Sequence, residues 1–355
     1  MDPLLVTSTE AATGKTAVTL ALATLAKEQG KDVGYMKPKG TRLQSVTGKT
    51  RDEDPMLARE LLDLDAEMHE LEPIVYTPTF VEEAIRGREQ SAELRERVLD
   101  NYEALAEDRD LMVLEGTDRL TTGGIVDLTD PEIAEAIDAR VVLLSRYDEP
   151  GDIDDILAAA DQIGDNLAGV LFNGVPDTVF DQLTTDVVPF LENHDVPVLG
   201  VVPRIPELAG ISVGNLAERL GAELLTTDAD TDVFIERLTV GAMSGEGALT
   251  YFRRTQNAAL ITGGDRSELI TTALEASGIK CIILGGGFRP PGAVLGKAEK
   301  RGVPVLLLQS DTRNVIERTE SVLESGPTRD PETVTRMQHL LADHSEAQSL
   351  IEDEE

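Results

Sequence analysis

Gly14-Lys15-Thr16 closes the stretch VTSTEAATGKTAVTL, Val6 to Leu20, with the tripeptide that ends a phosphate-binding loop. In such a loop, backbone N–H groups and the start of the next helix face the phosphates. The lysine adds charge, and the hydroxyl of the last residue coordinates Mg2+. The usual pattern also has a glycine five residues before Gly14, where this chain has Thr9. A loop of slightly different shape would not need that glycine, and Ser8 and Thr9 would then offer hydroxyls to phosphate. The competing reading is a plain strand-to-helix turn.

A magnesium nucleotide also needs carboxylates. Glu115 ends the apolar run LMVLEG, which puts it at the carboxyl edge of a sheet, where open α/β sheets bind ligands. Its bland alternative is a solvated strand-end acid. Asp54, in RDEDPMLARE, stands just before a helix and reads equally as an N-cap with Pro55 at the first helical position. Asp52 and Glu53 compete with it as ligands.

The elements that must position these residues follow from the hydrophobic pattern. PLLVTST reads as a strand, KTAVTLALATLAKEQG as a helix ending at Gly30, and DVGYMKP as a strand stopped by Pro38. DPMLARELLDLD, SAELRERVLDNYEALAEDRD and DIDDILAAADQIG have helical spacing. LMVLEG, ARVVLLSR, LAGVLFNGV and VPVLGVVP are compact apolar strands. Continuous β-branched runs alternating with helices predict an α/β fold, a mostly parallel sheet covered on both faces. The acidic stretch GAELLTTDADTD, Gly221 to Asp232, interrupts the pattern, and a smaller α/β unit follows with strands in NAALITGG, KCIILGGG and VPVLLLQSD. From about Pro327 the chain is helical and then acidic, and is expected to be a solvated end.

Composition removes several classes. The net charge of −34, from 66 acidic and 32 basic residues, repels nucleic acids and anionic membranes. Only nine residues are lysine, and Lys15, Lys37 and Lys39 sit near the first two strand ends. Such a surface suits a cytosol of very high salt, where the Debye length shrinks to about 3 Å. No apolar run reaches the roughly 18 residues that span a bilayer, and no signal pattern opens the chain, so a cytoplasmic location is expected. Cys281 is the only cysteine and lies in an apolar strand, which excludes an internal disulfide. His69, His194, His339 and His344 have no metal-ligand spacing. There is no G-x-S-x-G elbow and no tryptophan.

Residues 1–222 resemble dethiobiotin synthetase and its relatives, including the cobyrinic acid a,c-diamide synthases. The resemblance rests on the loop ending Gly14-Lys15-Thr16, then Lys37-Pro38, Asp54, LEG at 114–116, LFNGV at 171–175 and VVPRIP at 201–206. It implies a P-loop NTPase-type domain that binds ATP and Mg2+. Lys15 and Thr16 would hold phosphate and metal, Asp54 and Glu115 would complete the metal site, and Asn173 would read the base. Lys37 would reach the reacting carboxyl or phosphate. Two segments depart from that family, KGTRLQ after Pro38 and GTDRLTTGG after Glu115, so the nucleotide carries over better than the diamine substrate.

Residues 233–326, after a linker at 223–232, resemble the DRTGG domain, with Asp265-Arg266 and the glycines at 285–287 as the matching residues. The plain reading is two glycine turns, Asp265 capping a helix near Ser267, and Arg266 paired with a surface acid. The functional reading is an anion pocket at neighbouring strand ends that uses Asp265, Arg266, Gly286 and Arg289, with Asp311-Thr312 on the same edge. A dethiobiotin-synthetase-like domain joined to DRTGG resembles the N-terminal regulatory half of long phosphotransacetylases, here as a free-standing chain with a helical, acidic tail at 327–355. That resemblance implies a regulatory protein that senses nucleotide or metabolite and acts on a partner, for instance a separate phosphotransacetylase-type chain. The alternative is an ATP-dependent ligase that forms an acyl phosphate. Relatives of this class pair across the site, so a homodimer is expected.

Overall fold

The computed structural model describes residues 3–40, 44–46, 49–241, 245–324 and 331–352. Thr41 to Leu43 of KGTRLQ, Met243 in the second unit, Pro327 and the last three residues of IEDEE lie outside the described residues. Six parallel strands form the first sheet: β1 (Leu4–Ser8), β2 (Val33–Met36), β3 (Leu111–Glu115), β4 (Arg140–Ser145), β5 (Leu167–Val175) and β6 (Val198–Pro203), in the order β6-β5-β4-β1-β3-β2. The strands nearest the centre are buried on both faces, as their unbroken apolar runs require. Burying each such leucine or valine stabilises the fold by about 1.5–3 kcal/mol.

Helix α1 (Lys15–Glu28) starts directly after the loop, and α2 (Glu53–Leu62) places two acids in its first turn, where the helix dipole favours them. Helix α3 (Asp130–Ile137) opens with a reciprocal capping box between Thr129 and Glu132. These starts are set by local chemistry, and all three lie where the sheet's carboxyl edge needs polar groups. Among the described residues no helix is long and apolar enough to cross a membrane.

The chain divides into two compact units, Met1–Arg204 with Arg329–Glu355, and Ile205–Thr328. The linker expected at 223–232 opens with strand β7 (Glu223–Leu224), which pairs antiparallel with Val305–Leu307 and so belongs to the second sheet. That sheet also contains β8 (Arg237–Val240), β9 (Ala258–Gly263), β10 (Ile279–Gly285) and β11 (Val305–Leu307), in the order β7-β11-β10-β9-β8. Cys281 is buried within it, a core residue as its apolar context predicts.

The C-terminal segment corrects the expectation of a solvated end. Helix Pro331–His344 returns to the first unit and buries Val334, Met337 and Leu341, while Gln338 donates to Thr24 Oγ1 of α1 at 2.8 Å. Arg140 also donates to Leu350 O. An amphipathic helix with three buried apolar side chains gains more by covering α1 than by remaining hydrated.

Candidate functional site

The loop between β1 and α1 takes the shape its glycine allows. Ala12 has φ 57° and Gly14 φ 90°, left-handed conformations that turn neighbouring N–H groups toward one concavity. A Cβ on Gly14 would lie 2.5 Å from Asn173 Nδ2, so side-chain space and torsion both require glycine here. Asn173, near the end of β5, donates its amide to Thr13 O at 2.7 Å. In this structure Asn173 therefore braces the loop. Thr9, at the position of the missing glycine, sets its hydroxyl 3.4 Å from Ser145 Oγ at the end of β4. Arg146, which the sequence did not single out, donates to Ala12 O.

Lys15 Nζ donates to Ser8 Oγ at 2.6 Å and to Asp118 O at 3.1 Å. Thr16 Oγ1 donates to Glu115 Oε1 at 2.7 Å, and Tyr35 donates to Glu115 Oε2 at 2.8 Å. Glu115 is opposite Val6 in the sheet, so the register of β1 against β3 brings the acid to the loop. Its reading as a solvated strand-end acid is overturned, since it is 2% exposed.

Lys37 follows β2 and extends among three carboxyl groups. Its ammonium donates to Asp52 Oδ2 at 2.7 Å and to Asp54 Oδ2, and lies 3.9 Å from Glu115 Oε1. The cap of α2 is Asp52, not Asp54: Asp52 Oδ1 accepts from Asp54 N at 2.9 Å. Asp54 instead sits inside the first turn, with its carboxylate on Lys37. One carboxylate of Asp52 thus caps a helix with one oxygen and holds the lysine with the other.

Burial dominates the electrostatics. Desolvation pulls the Lys37 ammonium down, but Asp54, Glu115 and Asp52 together outweigh it and hold it above its ordinary range. Burial, reinforced by Asp54, pushes Glu115 up to about 7 against the pull of Lys37, Thr16 and Tyr35. Asp52 is likewise raised by burial and by Asp54. One ammonium shared among three acids does not offset the desolvation of Glu115 and Asp52 and their repulsion by Asp54. Nearby Glu72, buried and with no hydrogen-bond partner at Oε1, is raised by burial and then by Asp52 to about 8.

The donors fit a hard cation: the Thr16 hydroxyl with Glu115 and Asp54 is an oxygen set of the kind magnesium takes beside phosphate and water. Among the described residues no three His, Cys, Asp or Glu side chains surround a common metal position. The Lys37 ammonium lies where the acids converge. A second buried pair, Lys39 Nζ to Asp130 Oδ1 at 2.9 Å, flanks this pocket. Asp130 Oδ2 also accepts from Thr7 Oγ1 at 2.6 Å, and Lys39 donates to Leu128 O. A capping pattern from Thr129 to Glu132, not singled out in the sequence, could have pointed to Asp130; nothing local marked Tyr35 or Glu72.

In the second unit the turn at Gly264 lies against the turn at Phe288. Gly286 and Gly287 have φ 81° and 70°. Gly264 has no positive φ; a Cβ there would lie 1.7 Å from Phe288 O, so close approach of two turns demands glycine. Asp265 does not cap the following helix, whose N-cap residue is Arg266. Arg266 donates to Gly241 O, and Arg289 pairs with Glu223 at 2.5 Å. Asp311 caps its own helix through Arg313 N and Asn314 N.

A family model described as AAA domain (AAA_26) matches residues 2–212, and the DRTGG domain matches 215–322. Phosphate acetyltransferase of Haemophilus influenzae is 26% identical over 94% of this chain and 50% of its own length. The ATP-dependent dethiobiotin synthetase BioD of Bacillus subtilis subsp. natto is 23% identical over 61% of this chain and 94% of its own. The chain is homologous to BioD and to the N-terminal half of phosphate acetyltransferases, and spans about half the length of the latter. The CBS and DRTGG domains of the regulatory region of Clostridium perfringens pyrophosphatase cover 40% of the chain and 72% of that structure at 16% identity. With a TM-score of 0.29, that likeness fixes neither fold nor ligand here.

Proposed function

The chain belongs to the AAA domain family, and from that premise we propose that it binds ATP with magnesium at the 9–16 loop as a regulatory module acting on a partner. The carrying observation is the convergence of Lys15, Thr16 and Glu115 at one sheet edge beside a loop held left-handed at Gly14. Thr16, Asp54 and Glu115 would hold the metal, which supplies charge neutralisation to the phosphates when bound. Lys15 would meet the phosphates and Lys37 their reacting end, with Asn173 on the base side. The DRTGG unit supports the regulatory half of the reading; its glycine turns, with Arg266 and Arg289, are the proposed anion site.

Calorimetric titration with MgATP in molar salt tests this. Wild type should bind, and Lys15→Ala should weaken binding at least tenfold, because a charge-assisted phosphate contact is removed. Wild-type protein that takes up no nucleotide would sink the proposal. One observation favours a ligase instead: Lys37 is buried with three carboxyl groups, a preorganised charge arrangement a pure sensor does not need. ADP release that requires a carboxylate or amine substrate, and is lost in Lys37→Ala, would decide for the ligase.

A further inference from the structure

We infer that Lys37 is the resident counter-ion of the carboxylate pocket, standing where a nucleotide-borne divalent cation goes, and that the cation drives its ammonium out of that position. The inference rests on the nucleotide reading above and concerns what its pocket does before any nucleotide arrives. Asp52, Asp54 and Glu115 are each no more than 2% exposed, and they approach one another from two elements, the start of α2 and the end of β3. Carboxylates so placed are costly unless a cation or a proton compensates them. Among the described residues, Lys37 is the cation paired with all three.

The place it fills is the one the metal chemistry needs. Glu115 Oε1 faces both the Thr16 hydroxyl, at 2.7 Å, and the Lys37 ammonium, at 3.9 Å. An ion that took Thr16 and Glu115 as oxygen ligands, and Asp54 beyond them, would stand on the side now held by Nζ. Nζ holds Asp54 Oδ2 and faces Glu115 Oε1, so a divalent cation on those oxygens competes with it for the same negative charge. A second, independent feature marks the pocket as short of donors even with Lys37 in place. Glu72 Oε1 is buried with no hydrogen-bond partner, and its residue is 7% exposed. Asp52 makes the exchange asymmetric: its Oδ1 is committed to the helix cap, so its Oδ2 is the oxygen that holds the lysine until the cation enters. The metal therefore meets carboxyl groups that Lys37 already compensates and must release that lysine to enter. Cation loading and the freeing of Lys37 become a single event.

The test uses nucleotide-free full-length protein, so its failure is separable from failure of ATP binding. Mn2+ is titrated by electron paramagnetic resonance into wild type and Lys37→Met; the variant should bind at least tenfold tighter. In parallel, amine acylation read by mass spectrometry should find Lys37 of wild type protected relative to exposed Lys27, and labelled at least threefold faster as Mn2+ binds. Equal Mn2+ affinity in the two proteins overturns the inference, and so does unchanged Lys37 protection while Mn2+ binds. If Lys37→Met does not fold without cation, its melting temperature in Mn2+ replaces the titration. A rise larger than that of wild type supports the exchange; a rise no larger, or a variant still unfolded at saturating Mn2+, overturns it.

Discussion

Replacing Glu72 with glutamine probes the pocket's electrostatics through stability alone. Glu72 is buried, one of its oxygens has no partner, and its carboxyl lies across Gly40. Burial, then Asp52, raises it from 4.5 to about 8. The folded protein thus keeps a proton that the unfolded chain releases between those values. A raised carboxyl stabilises the fold fully below the unfolded value, and that stabilisation is lost as pH rises through about 8. At about 1.4 kcal/mol per pH unit, the full displacement corresponds to about 5 kcal/mol, and relaxation around a buried charge brings the expected effect to about 2–5 kcal/mol. Glutamine has no proton to lose, so the variant lacks this slope. Urea denaturation at fixed ionic strength should find the two proteins within about 1 kcal/mol at pH 5. At pH 9 Glu72→Gln should be the more stable by about 2–5 kcal/mol. A stability difference that stays flat between the two pH values would refute the reasoning.

Gly14→Ala forces a side chain into φ 90° and against Asn173 Nδ2. It should cost about 2–3 kcal/mol, by strain and the lost Asn173–Thr13 hydrogen bond, and weaken MgATP at least tenfold; denaturation and calorimetry report each part. Asp130→Ala leaves Lys39, 1% exposed, without its carboxylate partner, with an expected loss of about 3–5 kcal/mol by urea denaturation. Lys39→Met combined with Asp130→Leu should recover at least half of that loss, because the desolvated charge is gone.

The sequence made legible what local pattern and strand-end position determine. Glu115 and Thr16 fall at the end of one strand and the start of one helix, so a strand–loop–helix reading sufficed to bring them to one edge. Asp52 and Asp54 show the limit. Pro55 was read as the first helical residue, but proline is tolerated throughout a first turn, and its presence did not fix which aspartate caps. Tyr35 and Glu72 act through partners far along the chain, and no local signal carries such a pairing. The two-residue strand Glu223–Leu224 is too short to show a period, so an acidic stretch hid the edge of a sheet. The helix Pro331–His344 was visible as a helix, but amphipathicity does not say which body covers the apolar face.

The lysine scarcity takes on a physical meaning once the partners are known. Lys15, Lys37 and Lys39 are 8%, 3% and 1% exposed, in a chain with only nine lysines. Lys15 and Lys37 meet acceptors from separate elements, Ser8 and Asp118 O for Lys15 and α2 and β3 acids for Lys37, and Lys39 meets two on the turn entering α3, Leu128 O and Asp130. A compact ammonium with three rotatable donors fits acceptors that converge from different directions, whereas the planar guanidinium fork suits one carboxylate met side-on. Arginine occupies the exposed positions where that simpler geometry holds, as in Arg313 with Glu317 and Arg336 with Glu332. On a surface that is acidic and sparing of lysine, composition does not oppose arginine at the buried sites; geometry does. The lysines that remain buried near the first strand ends therefore mark where the fold needs a point charge, and all three lie around the phosphate loop and its carboxylate pocket.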